Sequence, residues 1–196
     1  IRREGGRWQK SFRAGSVLNT SFYEGGSYMA ADGSLYFISN REGGFGSLDI
    51  YHSAFTDGKY RMPVNMGKAI NSKYFDAYPF VSPKGDYLIF ESYRPGAAGG
   101  GDLFISFKED GSWSDPKPMG ERINRPESRE TFPMLSPDGK YFFFSSDRKG
   151  NLDSYWIDQT EVTNAMYAMC VEAGDCSALI RNSSDTRYEY FGNPEF

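Results

Sequence analysis

Gly33, Gly85 and Gly139 close the same kind of turn three times, 52 and 54 residues apart. Arg41, Arg94 and Arg148 follow them at steps of 53 and 54. Asp49, Asp102 and Asp153 open the segments Asp-Ile-Tyr, Asp-Leu-Phe and Asp-Ser-Tyr. Gly6-Arg7-Trp8, Gly58-Lys59-Tyr60 and Gly111-Ser112-Trp113 form a further set, each leading to Leu18-Asn19, Ile70-Asn71 or Ile123-Asn124. The markers keep one order and nearly one spacing, so one supersecondary unit is repeated along the chain.

The third copy shows what the unit is. Phe132 to Leu135 is a short apolar run, and Ser136-Pro137-Asp138-Gly139 is a turn, with Pro presetting φ and Gly taking the position that needs φ > 0. Tyr141 to Phe144 resumes as an aromatic strand. Polar Ser145 to Arg148 and a Gly/Asn turn precede a third strand at Asp153. A period near 50 residues with about four strands per unit is the signature of a propeller blade. The expected fold is mainly β: a partial β-propeller of about three four-stranded blades, with a short α/β tail containing one helix. Residues 1–19 read as the outer strand of a preceding blade. Units follow at 28–71, 78–124 and 132–156, so the propeller part is 1–154 and the tail 155–196. Three blades and a fraction leave open edges, and an unpaired edge invites pairing with another chain, so a homo-oligomer is an expected partner.

Composition narrows the function classes. A net charge of −4 and a pI near 5.1, with Lys and Arg scattered, argue against nucleic acid. No apolar run approaches the roughly 18 residues that span a bilayer. No signal-peptide pattern occurs, and the expectation is a processed chain or a piece of something longer. The two cysteines, Cys170 and Cys176, lie outside the repeats, so packing holds the repeats together.

The units resemble the WD-like propeller repeats of the TolB type. Ser82-Pro83-Lys84-Gly85 and Ser136-Pro137-Asp138-Gly139, each followed by an aromatic strand and Ser-x-Arg, carry that resemblance. Gly43-Gly44-Phe45-Gly46 before Asp49-Ile50-Tyr51 belongs to it too. It covers about residues 6–155. The first copy departs with Ala30-Ala31-Asp32-Gly33, and the third lacks the double glycine. The resemblance implies a periplasmic or extracellular bacterial setting and a protein or cell-envelope glycan ligand, without one fixed activity. Residues 152–196 resemble the opening of formylglycine-generating-enzyme-like (sulfatase-modifying factor) domains. Tyr155 to Tyr167, Cys170 to Cys176 and Tyr190 to Phe196 carry that second likeness. The family's copper-binding cysteine pair lies near the far end of such domains, so no catalytic position maps onto this chain. The function expected from the repeats is a non-catalytic binding module; one alternative is a fragment of a multidomain enzyme of that class, and another is a structural subunit that self-assembles through its open blade edges.

The candidate chemistry is thin. No catalytic, metal or cofactor site is expected. His52 is the sole histidine, in a strand beside Tyr51 and without a nucleophile-elbow motif, so its expected role is structural. Asp147 to Asp153 lacks the alternating ligands of a calcium loop and reads as a turn. The glycine-rich stretches 43–46 and 96–101 lack the Lys-Ser/Thr of a phosphate loop and read as tight strand connections. Glu24, Asp76 and Glu130 recur once per unit. They form either an acidic ring at one mouth of the axis or partners for Arg41, Arg94 and Arg148. Asp49, Asp102 and Asp153 recur likewise and read as structural. Cys170 and Cys176 flank the end of the tail helix, where a turn at Gly174 would bring them within reach of a disulfide.

Overall fold

The computed structural model describes residues 3–158, apart from residues 9, 11–13, 97, 137–138 and 149–152; for 3–4, 8 and 153–158 it describes the backbone alone. The expected tail helix, Cys170, Cys176 and residues 159–196 lie outside the described residues.

The described elements are strands. β1 (Arg3–Glu4) and β2 (Arg7–Trp8) form a short hairpin. The first blade orders β3 (Glu24–Met29), β4 (Leu35–Ser39), β5 (Asp49–Ser53) and, past the hairpin β6 (Phe55–Thr56) and β7 (Lys59–Tyr60), β8 (Val64–Asn65). The second repeats the plan with β9 (Asp76–Val81), β10 (Tyr87–Ser92) and β11 (Asp102–Glu109). β11 carries both β12 (Ser112–Trp113) and β13 (Lys117–Pro118). The third has β14 (Glu130–Leu135), β15 (Tyr141–Ser146) and β16 (Asp153–Asp158). All these pairings are antiparallel.

The turns are those the sequence announces. The amides of Gly33, Gly85 and Gly139 donate to the carbonyls of Ala30, Ser82 and Ser136 at 2.8–2.9 Å. Their φ angles of 84°, 71° and 69° are ones an L side chain rarely adopts.

Strand alternation gives each blade two apolar faces, and the blades bury them against each other. On β10, Leu88 and Phe90 pack back onto Tyr36, Ile38 and Ile50 of the first blade. Ile89, with Leu103 and Ile105, packs forward onto Phe142 and Phe144 of the third. Phe37 and Tyr51 face the N-terminal segment, where Leu18 covers them. Phe90, Ile89 and Leu103 are fully buried, each contributing about 1.5–3 kcal/mol of transfer free energy. No blade could hold this arrangement alone, because half of its apolar surface would be wet.

Candidate functional site

Each blade's first strand is bulged at the same place. Between the pairs Gly25↔Ile38 and Tyr28↔Tyr36, residues 26–27 oppose Phe37 alone. Residues 78–79 oppose Phe90, and 132–133 oppose Phe144, in the same way. The first residue of each bulge is left-handed: Gly26 at φ 48°, Tyr78 at 50° and Phe132 at 53°. Glycine is the ordinary occupant of such a position; a bulky aromatic there is strained, and a following proline strains it further. Both Tyr78 and Phe132 precede a proline, Pro79 and Pro133. Strain of this kind costs on the order of 1–3 kcal/mol per residue and persists only where the surroundings enforce it.

The bulges redirect these residues into a shared cavity. A pocket of about 480 Å³ is lined by Gly26, Tyr78, Pro79, Phe132, Met134 and Phe143, with Ser27, Tyr28, Pro133, Phe144 and Ser145 completing it. The lining includes no charged residue. The Tyr78 and Phe132 rings are 4.1 Å apart at their centroids, and Tyr28 meets Phe80 edge-on at 5.0 Å. Gly26 makes room for the pair: a Cβ there would sit 2.9 Å from the Tyr78 ring. Phe132 and Met134 remain 51% and 52% exposed, although each is a large apolar side chain. Burial pushes the Tyr28 hydroxyl above its ordinary pKa, so it stays a neutral donor. The arrangement can seat an uncharged, apolar group.

The recurring charged residues do other things. Arg94 donates from Nη2 to Asp76 at 2.7 Å and to the Ile70 carbonyl, and from Nε to the Ser92 hydroxyl at 2.8 Å. Ser92 in turn donates to Asp76 at 2.6 Å. Arg148 repeats this with Glu130, Ile123 and Ser146, and Arg41 with Glu24, Leu18 and Ser39. Each guanidinium also lies over the phenylalanine of its second strand, Phe37, Phe90 or Phe144, at 5.0–5.2 Å. The clamp ties a blade's first two strands to the segment arriving from the blade before. Asp76 and Glu130 have no exposed side-chain surface, so they form no acidic ring toward solvent. At Glu24, burial would raise the carboxyl pKa, but the hydrogen bonds from Thr20, the charge of Arg41 and the Ser39 hydroxyl outweigh it and lower it.

Asp49 accepts from the amides of Phe45 and Gly46 and from Asn65 Nδ2, which folds the glycine loop back on its strand. Asp102 does so through Gly99 alone, because Pro118 occupies the place of Asn65 and supplies no donor. Its Oδ1 is buried without a partner, and burial, with Glu130 and Glu91 nearby, raises its pKa. The side chain of Asp153 lies outside the described residues. The glycine loops do more than connect strands. A Cβ at Gly46 would meet the Tyr74 carbonyl at 1.8 Å, and one at Gly99 the Ser128 carbonyl at 2.1 Å, so each loop lies directly on the next blade's backbone. Backbone bonds between neighbouring blades run beside these contacts, from Asp76 N to Leu48 O and from Glu130 N to Gly101 O. His52 rests on the Tyr36 ring at 4.7 Å, and burial lowers its pKa.

The sequence did not point to the pocket. Its one available signal was Tyr78-Pro79 and Phe132-Pro133 recurring inside runs that otherwise read as strand, since Pro within a strand marks a bulge or an edge.

No family model and no curated protein sequence matches the chain. Among solved structures, TolB from Acinetobacter baumannii is similar over 72% of this chain and 31% of its own, at 21% identity and a TM-score of 0.49. A puromycin-hydrolyzing peptidase of Mycobacterium tuberculosis is similar over 70% of this chain and 20% of its own, at 19% identity and a TM-score of 0.46. A putative TolB from Agrobacterium tumefaciens is similar over 72% of this chain and 60% of its own, at 19% identity and a TM-score of 0.39. The chain thus spans less than a third of the first and a fifth of the second. The sheet topology carries the architecture by itself: bulged first strands side by side, apolar faces buried blade on blade, and one clamp per unit make the described residues successive blades of a β-propeller.

Proposed function

We propose that this chain is a non-catalytic β-propeller binding module that seats an apolar segment of a protein ligand in the pocket between its first strands. One observation carries the reading. Two aromatic residues hold left-handed backbone in front of prolines, and both line an uncharged pocket with large apolar side chains left exposed. An extended peptide suits the site, because β3, β9 and β14 each pair on one side only within their sheets, which leaves main-chain groups for a ligand. The resemblance of the repeats to the TolB type supports a bacterial periplasmic or secreted setting. An envelope glycan is the competing ligand class, since sugar faces also stack on aromatic rings.

Peptide selection from a random displayed library tests the proposal. The expected winners carry a large apolar or aromatic anchor and lose at least tenfold affinity for the Phe132→Ala variant. Winners defined by charge, or binding equally to that variant, would contradict it. A second reading rests on residues 152–196, whose sequence resembles a formylglycine-generating-enzyme-like opening: the propeller would then be the binding part of a multidomain enzyme. A coding sequence extending past Phe196 into that family's cysteine pair would support it.

A further inference from the structure

The two blade interfaces share a backbone plan but differ sharply at one spot. Between the first and second blades this spot holds Ile38, Phe75 and Ala77. The equivalent positions one unit later are Glu91, Arg129 and Thr131, at steps of 53, 54 and 54. Glu91 is fully buried. It accepts from Arg129 Nε at 2.6 Å and Nη2 at 3.2 Å, and from the Thr131 hydroxyl. The Arg129 side chain is 30% exposed and lies against the Tyr93 ring, and its amide donates to Asp147 at 2.7 Å. Where the first interface has three apolar residues, the second has an ion pair and a hydroxyl bonded to it, and Glu91 without these partners would be a buried orphan charge. The third blade differs again, with Ser145 where the others have Ile38 and Glu91.

We infer that this triplet is a pairing code, which makes the third blade dock on the second and on no other blade face. Repeated units otherwise carry interchangeable faces, and misassembly between units or between copies is the characteristic failure of repeat proteins. With the code, β14 placed against the first blade sets Arg129 against Ile38. β9 placed against a second-blade face sets Phe75 against Glu91. The first error leaves Arg129 without its carboxylate, the second leaves Glu91 buried and unpaired, and the correct order pairs both. The same rule acts between copies, so it also limits blade exchange in any assembly of this chain.

Three variants of the full chain test this. Glu91→Ile alone strands Arg129 and Thr131 and should lower stability. Glu91→Ile with Arg129→Phe and Thr131→Ala writes the first interface into the second; it should fold with stability at or above the starting chain. After dilution from denaturant, this triple variant should populate exchanged or oligomeric species at least fivefold more than the starting chain, by native mass spectrometry. Adding Ile38→Glu, Phe75→Arg and Ala77→Thr to the triple variant moves the code to the other interface and should restore a single species. A triple variant refolding to one species, as uniformly as the starting chain, would overturn the inference, as would a moved code that fails to suppress exchange in a chain that folds.

Discussion

Phe132 is the position where the proposed ligand contact can be separated from stability. Phe132→Gly removes a half-exposed ring but relieves a left-handed φ, so its unfolding free energy should stay within about 1 kcal/mol of the parent, while Phe144→Ala, which empties a buried site, should cost about 3–5 kcal/mol. Urea unfolding of the two variants checks this, and a large loss in Phe132→Gly would mean the ring is core rather than contact surface. His52 makes a pH-dependent contribution of known sign. Burial lowers its folded pKa below the unfolded value of about 6.5, so its contribution to stability is present above that pH and is lost as pH falls through it toward the folded pKa. His52→Ile, the residue that the second blade carries at this place (Ile105), should flatten the stability profile between about pH 7 and 5. Asp102 has the opposite shift, and Pro118→Asn should supply the amide that Asn65 gives Asp49. Carboxyl NMR should then show the Asp102 pKa moving down; an unchanged value would remove the internal comparison on which that assignment rests.

Elements are held together by contacts the repeat markers encode. Asn71 accepts from Ile50 N and donates to Ile50 O, and Asn124 treats Leu103 alike; Asn71→Ala orphans the buried Ile50 amide, while the Ile50 carbonyl keeps the bond from Met66 N, and should cost about 1–3 kcal/mol. Gly46→Ala should be still more harmful, because its Cβ has no space against the Tyr74 carbonyl. Gly43→Ala, in open space, should cost only the strain of its φ of 86°. Comparable losses in the two glycine variants, read from denaturation midpoints, would show that the loops do not bear on the next blade. At this scale much was legible. The turn glycines, the aromatic second strands and the Asp-led third strands each announce a local conformation through one residue type. The clamps were legible as a pairing of Arg with carboxylates once per unit, since only a task repeated in every unit produces such spacing. The approach of the glycine loops to the next blade was not legible, because spacing along a chain contains no information about what crosses in space. The bulges were hidden for a related reason: aromatic side chains favour strand, so Tyr78 and Phe132 read as ordinary strand residues while tertiary packing imposes a backbone that propensity opposes.

At the scale of the molecule, the propeller is a stack in which each blade's stability is partly its neighbour's. Unfolding should therefore be cooperative across 24–146, and Arg94→Met, which leaves the buried Asp76 with its bonds from Ser72 and Ser92 but no counter-charge, should lower the midpoint for all three blades by the equivalent of about 3 kcal/mol. Blade-selective hydrogen exchange would reveal independent units if that coupling were absent. The pocket belongs to this scale too, since three blades contribute to it and none contains it. Its role as the ligand seat is tested most directly with the methionine methyl NMR spectrum of the chain, titrated with a library-selected peptide. Met134, at the pocket, should shift, while Met119 in the core between the second and third blades and Met62, exposed on the first blade outside the pocket lining, should hold still. The Phe132→Ala variant should abolish the Met134 shift. A peptide that binds and moves Met62 but not Met134 would place recognition outside the pocket and contradict the account.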